Sequence, residues 1–423
     1  MNQFNVSLWG DEAFSAILSM KSIPEIILIS SRDTHPPLFN ILEHFWFIFF
    51  GNSEISIRSL VFLLFLISVF FVYKIGESLW DKKTGVLAAV LTALNPFFFA
   101  YAFEGRMYSL LAATTAASMY FFVNKKWVFY VIATTLALYS HHFAFFAVFV
   151  QGLWFLKEFF WGNRKAAVSI FKSFVAIGIL YSPWLVPLYN QTKMVGSGFW
   201  LGKPTLKDFS LLLLKYLNFS LVLLLVRNWS KKLGKSVFIL MWFIVPILTA
   251  WILSQKFQSI FSDRYLLYTI PAAMLLAASQ RTIITKIFLF IVFAVFISAD
   301  VFYFTHPFKR PFRELAAYVK EVKHGDDYLI NWNGTVHHLW ESKYYGIGSP
   351  LYIPKGADLP FFVGTALMTK DDTTSLVPAK IDSGKTVRVG VITSGPVDEV
   401  VVSGYTKGEV RQFGDLKFIW LNK

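Results

Sequence analysis

Long apolar runs recur through most of this 423-residue chain, and they limit what the chain can fold into. Runs between Ile57 and Phe304 are long enough, as helices, to cross about 30 Å of hydrocarbon. Open sheet edges and loops cannot lie in lipid with unpaired backbone groups, so these runs must be helical. Only 16% of the residues are charged, whereas soluble domains have about a quarter. The sequence therefore predicts an all-α polytopic membrane domain.

We predict about ten spans from the lengths of these runs. Their expected bounds are 57–79, 86–101, 107–123, 127–140, 143–160, 168–189, 209–226, 237–254, 265–281 and 287–304. The segment 209–226 is also compatible with a helix that lies in the interface, which would change the sidedness of the loops after it. The prediction assigns residues 1–54 to an outer loop, 55–305 to the membrane domain and 306–423 to a C-terminal domain.

The net charge of +14 comes largely from basic residues in alternate loops, which is typical of cytoplasmic loops. These residues are Lys82, Lys83, Lys125, Lys126, Arg164, Lys165, Arg227, Lys231, Lys232, Lys235, Arg281 and Lys286. The other loops and the C-terminal domain are then extracytoplasmic. The excess charge is explained by topology and anionic lipid, so we expect no nucleic-acid partner. The chain has no cysteine, which excludes disulfides and thiolate metal sites.

The outer segment 2–54 is predicted to form two short helices near the membrane surface. One begins near Asp11, and the other follows Pro36 and Pro37, since proline suits a first helical turn. From about Pro311 the pattern changes to a helix at 313–323 followed by short β-rich runs. Those runs are 328–331, 387–392, 399–402 and 416–421. A small α/β domain is the corresponding prediction.

Several polar residues of the outer loops are candidates for chemistry. Asp11 or Glu12 can serve as a general base, although acids in a first helical turn also stabilise the helix dipole. Arg106 and Arg264 can bind an anionic head group, or simply extend to the interface. The remaining candidates are Glu104, Tyr108, Asp263, Tyr265, His35, His141 and His142. The histidines can position a hydroxyl group, and adjacent His141 and His142 do not favour a shared metal, so we assign none.

Short motifs, taken in order, resemble the GT-C superfamily of membrane glycosyltransferases. The nearest branch is that of the dolichyl-phosphate-mannose protein mannosyltransferases and the bacterial aminoarabinose transferases. The motifs are Leu8-Trp9-Gly10-Asp11-Glu12-Ala13, His35-Pro36-Pro37-Leu38, Glu104-Gly105-Arg106-Met107-Tyr108-Ser109, Tyr139-Ser140-His141-His142-Phe143, Tyr181-Ser182-Pro183-Trp184-Leu185, Asp263-Arg264-Tyr265-Leu266-Leu267 and Phe312-Arg313-Glu314-Leu315-Ala316-Ala317-Tyr318. The resemblance covers most of the chain. It also implies a membrane span before the first motif, which we expect this chain to lack.

The resemblance implies transfer of a sugar from a polyprenyl-phosphate carrier to a hydroxyl acceptor, with inversion, at the outer face of the cytoplasmic membrane. The matching catalytic position is Asp11, with Glu12 beside it, and Arg106 and Arg264 are expected to bind the donor phosphate. Lys203 and Lys207 are weaker candidates for that role. We expect these groups to converge in one cavity at the outer boundary of the membrane. Some members of the superfamily use a divalent metal, but nothing in these residues indicates one.

Two other functions fit the same composition. A transporter or lipid flippase would place charged residues near the middle of its spans or break its helices there. Pro183, Pro187 and Pro246 can kink helices, but acidic residues are scarce in the predicted spans. A catalytically silent relative with a structural role is the third possibility. The polar residues cluster at one interface, which favours the enzyme. The sugar, the acceptor and the oligomeric state are not encoded in a recognisable pattern.

Overall fold

The computed structural model describes residues 2–225, 233–279, 283–325, 327–332, 338–353, 358–377 and 388–423. Predicted loop residues Arg227, Lys231, Lys232 and Arg281 lie outside that part, as does Val387 at the start of a predicted strand. The chain divides into two compact units. One comprises residues 30–42 and 58–305, and we call it the membrane unit. The other comprises residues 1–29, 43–57 and 306–423, and we call it the outer unit, after the location that the sequence predicts for it. Residues 1–54 are thus shared between them.

Helices make up the first three quarters of the described chain. Their bounds are α1 Gly10–Ser19, α2 Ile23–Ser31, α3 Leu38–Phe50, α4 Glu54–Leu79, α5 Lys82–Ala93, α6 Pro96–Ala100, α7 Tyr108–Val123, α8 Trp127–Ser140, α9 Ala144–Trp161, α10 Arg164–Tyr181, α11 Leu185–Gly196, α12 Leu206–Leu217, α13 Leu221–Leu225, α14 Leu233–Lys256, α15 Asp263–Leu266, α16 Ile270–Ala278 and α17 Ile283–Thr305. The outer unit adds α18 Phe312–Val322 and α19 His338–Tyr344. Helices α1 and α3 are the two predicted for the first loop, and α2 was not predicted.

Within the described residues, six helical segments are long and apolar enough to cross a membrane. They are Glu54–Leu79, Ala144–Trp161, Arg164–Gly196, Leu206–Leu225, Ser236–Lys256 and Ile287–Thr305. The predicted span 86–101 corresponds to a helix pair bent by 59° between Ala93 and Pro96. Asn95 makes this break, because its side chain caps α6 at Phe98 and its amide donates to the carbonyl of Tyr216 at 2.8 Å. The remaining three predicted spans are shorter helices.

The shorter helices lie inside the membrane unit. Helix α7 is buried along nearly its whole length, and every residue of α16 is buried. Small residues let helices approach closely in a membrane, and polar side chains hydrogen-bond across them. Ser118 of α7 lies 2.8 Å from the hydroxyl of Thr134 in α8, and Gln151 of α9 donates to Ser118 at 2.9 Å. Helices α7 and α16 therefore lie at the centre of the bundle, whereas α8 packs against α7 with one face and exposes the other.

In the outer unit, a mixed sheet has the strand order β3-β2-β1-β4-β6-β5. The strands are β1 Tyr328–Trp332, β2 Leu351–Tyr352, β3 Thr373–Thr374, β4 Val389–Thr393, β5 Thr406–Phe413 and β6 Leu416–Asn422. Strands β1 to β4 pair in parallel, while β6 is antiparallel to both β4 and β5. Helix α18 packs its apolar face against one side of this sheet. The predicted α/β domain is confirmed.

The strand predicted at 399–402 is wrong. Residues Val397–Glu399 form a short 3-10 helix, and Val400 and Val402 pack into the core without joining the sheet. The run of three valines, Val400 to Val402, is typical of a strand, but here it only places two buried side chains on either side of the exposed Val401. Strand β5 was missed because its side chains are almost all exposed, so it has no apolar periodicity.

Candidate functional site

His35 lies in the membrane unit, in the turn between α2 and α3. The hydroxyl of Thr34 is 2.7 Å from its Nδ1 atom. Pro36 and Pro37 follow directly, and the carbonyl of Pro37 accepts the first hydrogen bond of α3, from Ile41. Since proline fixes the backbone at a helix start, this turn holds the imidazole at a defined position. Its ring centre lies 5.2 Å from that of His141.

His141 and His142 lie in the tight turn that joins α8 to α9. The backbone amide of Phe143 donates to Nδ1 of His141 at 3.1 Å, so the proton of this neutral ring is on Nε2. Nε2 of His142 lies 2.8 Å from Oε1 of Gln191, whose amide nitrogen donates to the carbonyl of Ser30 at 2.8 Å. That amide orientation makes Oε1 an acceptor, so His142 also has its proton on Nε2. Both tautomers are therefore fixed by the fold.

Tyr265 and Tyr108 complete an aromatic cluster around His141. The ring of Tyr265 is 5.1 Å from that of His141 and 6.5 Å from that of His35. The ring of Tyr108 is 6.2 Å from Tyr265 and 6.3 Å from His141. Four segments that are distant in sequence thus meet at one place, and all four residues were predicted as site candidates.

Two arginines act on this cluster. Burial lowers the pKa of His35 well below its ordinary value, and the charges of His141, Arg106, His142 and Arg264 lower it further. The pKa of His141 is lowered in the same way, by burial first and then by His142, Arg106 and Arg264. A cation near an imidazole disfavours its protonated form. The cluster therefore combines two permanent guanidinium charges with neutral histidines.

The positions of the two arginines differ. Arg106 is buried in the short turn before α7, where its backbone amide donates to the carbonyl of Glu104 at 2.6 Å. Arg264 lies in α15, with its guanidinium carbon 5.3 Å from the ring of Trp200 and 5.4 Å from that of Tyr265. Guanidinium groups stack on aromatic faces and keep their charge when partly buried. Both arginines are suited to bind an anion that enters the cluster.

Asp263 forms an ion pair with Lys215 of α12, and its Oδ1 atom accepts from the backbone amide of Arg264 at 2.7 Å. Its backbone carbonyl accepts from the hydroxyl of Tyr216. Asp263 thus holds the start of α15, and with it Arg264, against α12. Sequence reasoning missed Lys215, Gln191 and Trp200. They lie in long segments without a motif, and no sequence signal distinguishes them.

Two cavities lie in this part of the membrane unit, and the smaller one is lined by residues of the aromatic cluster. The smaller is about 270 Å³ and is lined by polar groups on one side, including Thr34, His35, His141, His142 and Gln191. Aromatic and aliphatic side chains form the rest of its wall, among them Phe143, Phe145, Phe146, Leu188, Val195, Phe199 and Ile260. The larger cavity is about 830 Å³ and includes Trp200, Lys203, Lys215 and Asp263. Lys203, a weaker phosphate candidate, therefore lies at the second cavity.

Asp11 and Glu12 lie in the outer unit, in the first turn of α1. Glu12 is completely buried, with Oε1 2.8 Å from Nζ of Lys309 and Oε2 accepting from the backbone amide of Trp9 at 3.3 Å. Asp11 is partly exposed. The contacts of Glu12 fix the start of the helix, whereas the side chain of Asp11 is more accessible to solvent. Within the described ranges, no group of three His, Cys, Asp or Glu side chains is arranged to hold a metal.

The fold and the cluster define a class: a multi-pass membrane protein with a histidine-lined, partly apolar cavity and two arginines near the histidines. A family model described as dolichyl-phosphate-mannose-protein mannosyltransferase matches residues 34–186. A search of curated proteins by sequence finds no significant match.

Solved structures give more extensive matches. ArnT from Cupriavidus metallidurans in the apo state has a TM-score of 0.70 at 11% identity, covering 99% of this chain and 94% of that chain. For the same protein bound to undecaprenyl phosphate, the TM-score is 0.65 at 11% identity, and the match covers 100% of this chain and 95% of that chain. A third match is the archaeal oligosaccharyltransferase AglB from Archaeoglobus fulgidus, in complex with an inhibitory peptide and a dolichol-phosphate. Its TM-score is 0.51 at 12% identity, and the match covers 81% of this chain and 61% of that chain. The predicted resemblance is confirmed, and the chain has the fold of the GT-C membrane glycosyltransferases.

Proposed function

We propose that this protein is an inverting glycosyltransferase. It moves a sugar from a polyprenyl-phosphate carrier to a hydroxyl acceptor at the outer face of the cytoplasmic membrane. The observation that carries the proposal is the pair of arginines acting on the neutral histidine cluster, beside cavities with apolar walls. Such a site suits an amphiphile whose head group is a phosphate. The match with ArnT, which has been crystallised with undecaprenyl phosphate, supports the same substrate class.

In the proposed reaction, Asp11 accepts the proton of the acceptor hydroxyl while the acceptor oxygen attacks the anomeric carbon. The bond between that carbon and the phosphate oxygen breaks, and the electron pair leaves with the phosphate. Arg106 and Arg264 stabilise the negative charge that develops on the phosphate. Attack on the face opposite the leaving group inverts the anomeric centre. Glu12, held by Lys309, keeps α1 in place.

Replacement of Asp11 by Asn tests the base. The reconstituted variant should bind the carrier as the wild type does but transfer sugar at least about 100-fold more slowly, since general bases contribute about 10²–10⁴-fold. The Asp398→Asn variant is the control, because Asp398 is exposed in the outer unit. Undiminished transfer by Asp11→Asn would remove the base assignment.

Replacement of Arg106 by Ala tests the phosphate site. Binding of undecaprenyl phosphate to the variant in nanodiscs should weaken about tenfold or more, because hydrogen bonds to charged groups contribute about 1.5–3 kcal/mol. Arg164→Ala is the matched control, since Arg164 is an exposed arginine of the same unit in a predicted cytoplasmic loop. Equal affinities of the two variants would contradict the assignment.

Two features favour a transporter as the second candidate. Asp300 is a buried carboxylate in α17, and the bent α5–α6 pair interrupts a span. Both are expected of proteins that move a polar substrate through the bilayer. Vesicles that hold the protein separate the alternatives: a flippase moves labelled undecaprenyl phosphate between leaflets without an acceptor, whereas the proposed enzyme forms a glycosylated product.

A further inference from the structure

The smaller cavity of the membrane unit contains two ring nitrogens whose hydrogen-bonding capacity is unmet among the described residues. They are Nε2 of His141 and Nδ1 of His142, and both are buried. His141 is only 3% exposed, and both side chains line the cavity. Buried polar atoms in native proteins nearly always have a partner, so each exception needs an explanation. The position of these two atoms in a cavity wall points to a ligand as the partner.

The fixed tautomers tell what that ligand must offer. Nε2 of His141 carries a proton and donates, because Nδ1 accepts from the amide of Phe143. Nδ1 of His142 accepts, because Nε2 faces the acceptor oxygen of Gln191. A phosphate at neutral pH offers mainly acceptors and would repel the lone pair of His142 Nδ1. A hydroxyl group both accepts and donates, so the hydroxyl groups of one ligand can satisfy both nitrogens.

The shape of the cavity agrees with a small, polyhydroxylated ring. Its volume of about 270 Å³ is near the lower end of small-molecule sites, which span about 300–1,000 Å³. Phe143 and Phe146 offer aromatic surface to the apolar C–H face of such a ring. An isoprenoid tail fits the apolar wall, but it would leave both nitrogens without partners.

We propose that this cavity is a sugar subsite in which ring hydroxyl groups bind Nε2 of His141 and Nδ1 of His142. The inference rests on the proposed transfer of sugar, because it names the group that binds beside the phosphate site. The sugar comes either from the donor lipid or from a glycan acceptor. The chemistry is the same for both, and the experiment separates them.

The test uses variants that remove one ring nitrogen and keep the other. Asparagine places its terminal atoms near the position of Nδ1, and glutamine near that of Nε2. His141→Asn therefore keeps the acceptor for Phe143 but loses the free donor, and His141→Gln keeps the donor. Conversely, His142→Gln keeps the contact to Gln191 and loses the acceptor, and His142→Asn keeps the acceptor. His324→Asn is the control, because His324 is exposed in the outer unit.

Binding in nanodiscs is measured for bare undecaprenyl phosphate and for the same lipid carrying glucose, mannose or 4-amino-arabinose. If the donor sugar fills the cavity, the wild type binds at least one loaded lipid about tenfold tighter than the bare lipid. His141→Asn and His142→Gln then lose most of that advantage, about a tenfold change for a lost hydrogen bond. Their affinity for the bare lipid should stay within about twofold of the wild type. His141→Gln and His142→Asn keep more of the advantage.

A second arm measures the rise in melting temperature caused by the methyl glycosides of the same sugars. If the acceptor sugar is the occupant, glycosides stabilise the wild type but not His141→Asn or His142→Gln, and the lipid affinities do not differ between variants. The subsite is overturned if these variants weaken bare and loaded lipid equally and respond to glycosides as the wild type does. It is also overturned if no sugar-bearing lipid binds the wild type more tightly than the bare lipid does and no glycoside raises the melting temperature of the wild type. If the wild type binds no form of the carrier, the proposed function fails, and the glycoside arm alone decides the subsite.

Discussion

The buried ion pair between Glu12 and Lys309 gives the sharpest stability prediction. The Glu12 carboxylate is 0% exposed, the Lys309 side chain is 15% exposed, and the two charged atoms are 2.8 Å apart. We expect Lys309→Met to destabilise the outer unit strongly. The methionine keeps most of the aliphatic stem, so packing changes little and the charge is the main variable.

The magnitude follows from the burial of Glu12. Removing one partner of a buried pair typically costs about 3–5 kcal/mol, because the remaining charge is left in a low-dielectric site. Glu12 can escape part of this cost by taking up a proton, so the observed loss should be smaller at low pH than at neutral pH. Replacing both residues, as Glu12→Gln with Lys309→Met, should recover much of the stability, since no uncompensated charge remains.

The assay is denaturant or thermal unfolding of the protein in nanodiscs, together with amide hydrogen exchange across α1. Lys309→Met should lower the melting temperature and speed exchange within Gly10–Ser19. Lys407→Met is the control, because Lys407 is exposed and, among the described residues, its side chain bonds only the backbone carbonyl of Asp398. Equal unfolding of the two lysine variants, or a double variant less stable than Lys309→Met, would show that the charge of Glu12 does not depend on Lys309.

Three further predictions concern single sites. Gly364→Ala should destabilise the outer unit by more than the roughly 1–2 kcal/mol that a left-handed backbone costs an alanine, because the new Cβ would lie 2.7 Å from the ring of Phe14. The control is Gly404→Ala, where the backbone is also left-handed but no atom lies within 4 Å of the new Cβ. The melting temperatures of the two variants separate the steric cost from the backbone cost. Asp300→Leu should raise the free energy of unfolding by at least about 1 kcal/mol, and with it the melting temperature, because both carboxylate oxygens are buried without a partner among the described residues. A lower stability would instead indicate a bound partner. Burial lowers the pKa of His142 to about 4, so the unfolded chain takes up a proton there as pH falls below about 6.5 while the fold does not. The free energy of unfolding is therefore unaffected by this group above pH 6.5 and falls by up to about 1.4 kcal/mol per pH unit between pH 6.5 and 4. His142→Gln should weaken the dependence of the melting temperature on pH in that range.

The membrane helices were predictable because hydropathy and length act locally. Apolar runs determine where a chain can cross lipid, so each predicted span corresponds to helical structure in the described residues. The bend at Asn95 was not predicted, since it depends on a side-chain bond to the carbonyl of Tyr216, which is distant in sequence. In the outer unit, edge strand β5 escaped prediction because its pairing with β6, and not a buried face, makes it a strand.

For the site, sequence reasoning found the residues that flank spans at the predicted outer face. His35, Tyr108, His141 and Tyr265 were all candidates, and the structure brings their rings together. The sequence does not show which contacts hold these rings in place. The tautomer of His142 depends on Gln191, which lies in the middle of α11 and carries no motif. Contacts of this kind are set by tertiary packing, so a single sequence does not reveal them. The catalytic role of Asp11 stays a prediction.

Helix α1 shows why the C-terminal domain takes part in the proposed catalysis. A helix of 10 residues is not stable alone in water, so contacts with the rest of the outer unit must supply its stability. The ring of Phe14 packs edge-on against Trp340 at 5.2 Å, and the amide of Leu8 donates to the hydroxyl of Tyr345 across 337 residues of sequence. Lys309 adds the ion pair to Glu12. The helix that carries Asp11 is therefore positioned by residues of the C-terminal domain. Substitutions in that domain should change the rate of the proposed transfer even where they touch neither the carrier nor the acceptor.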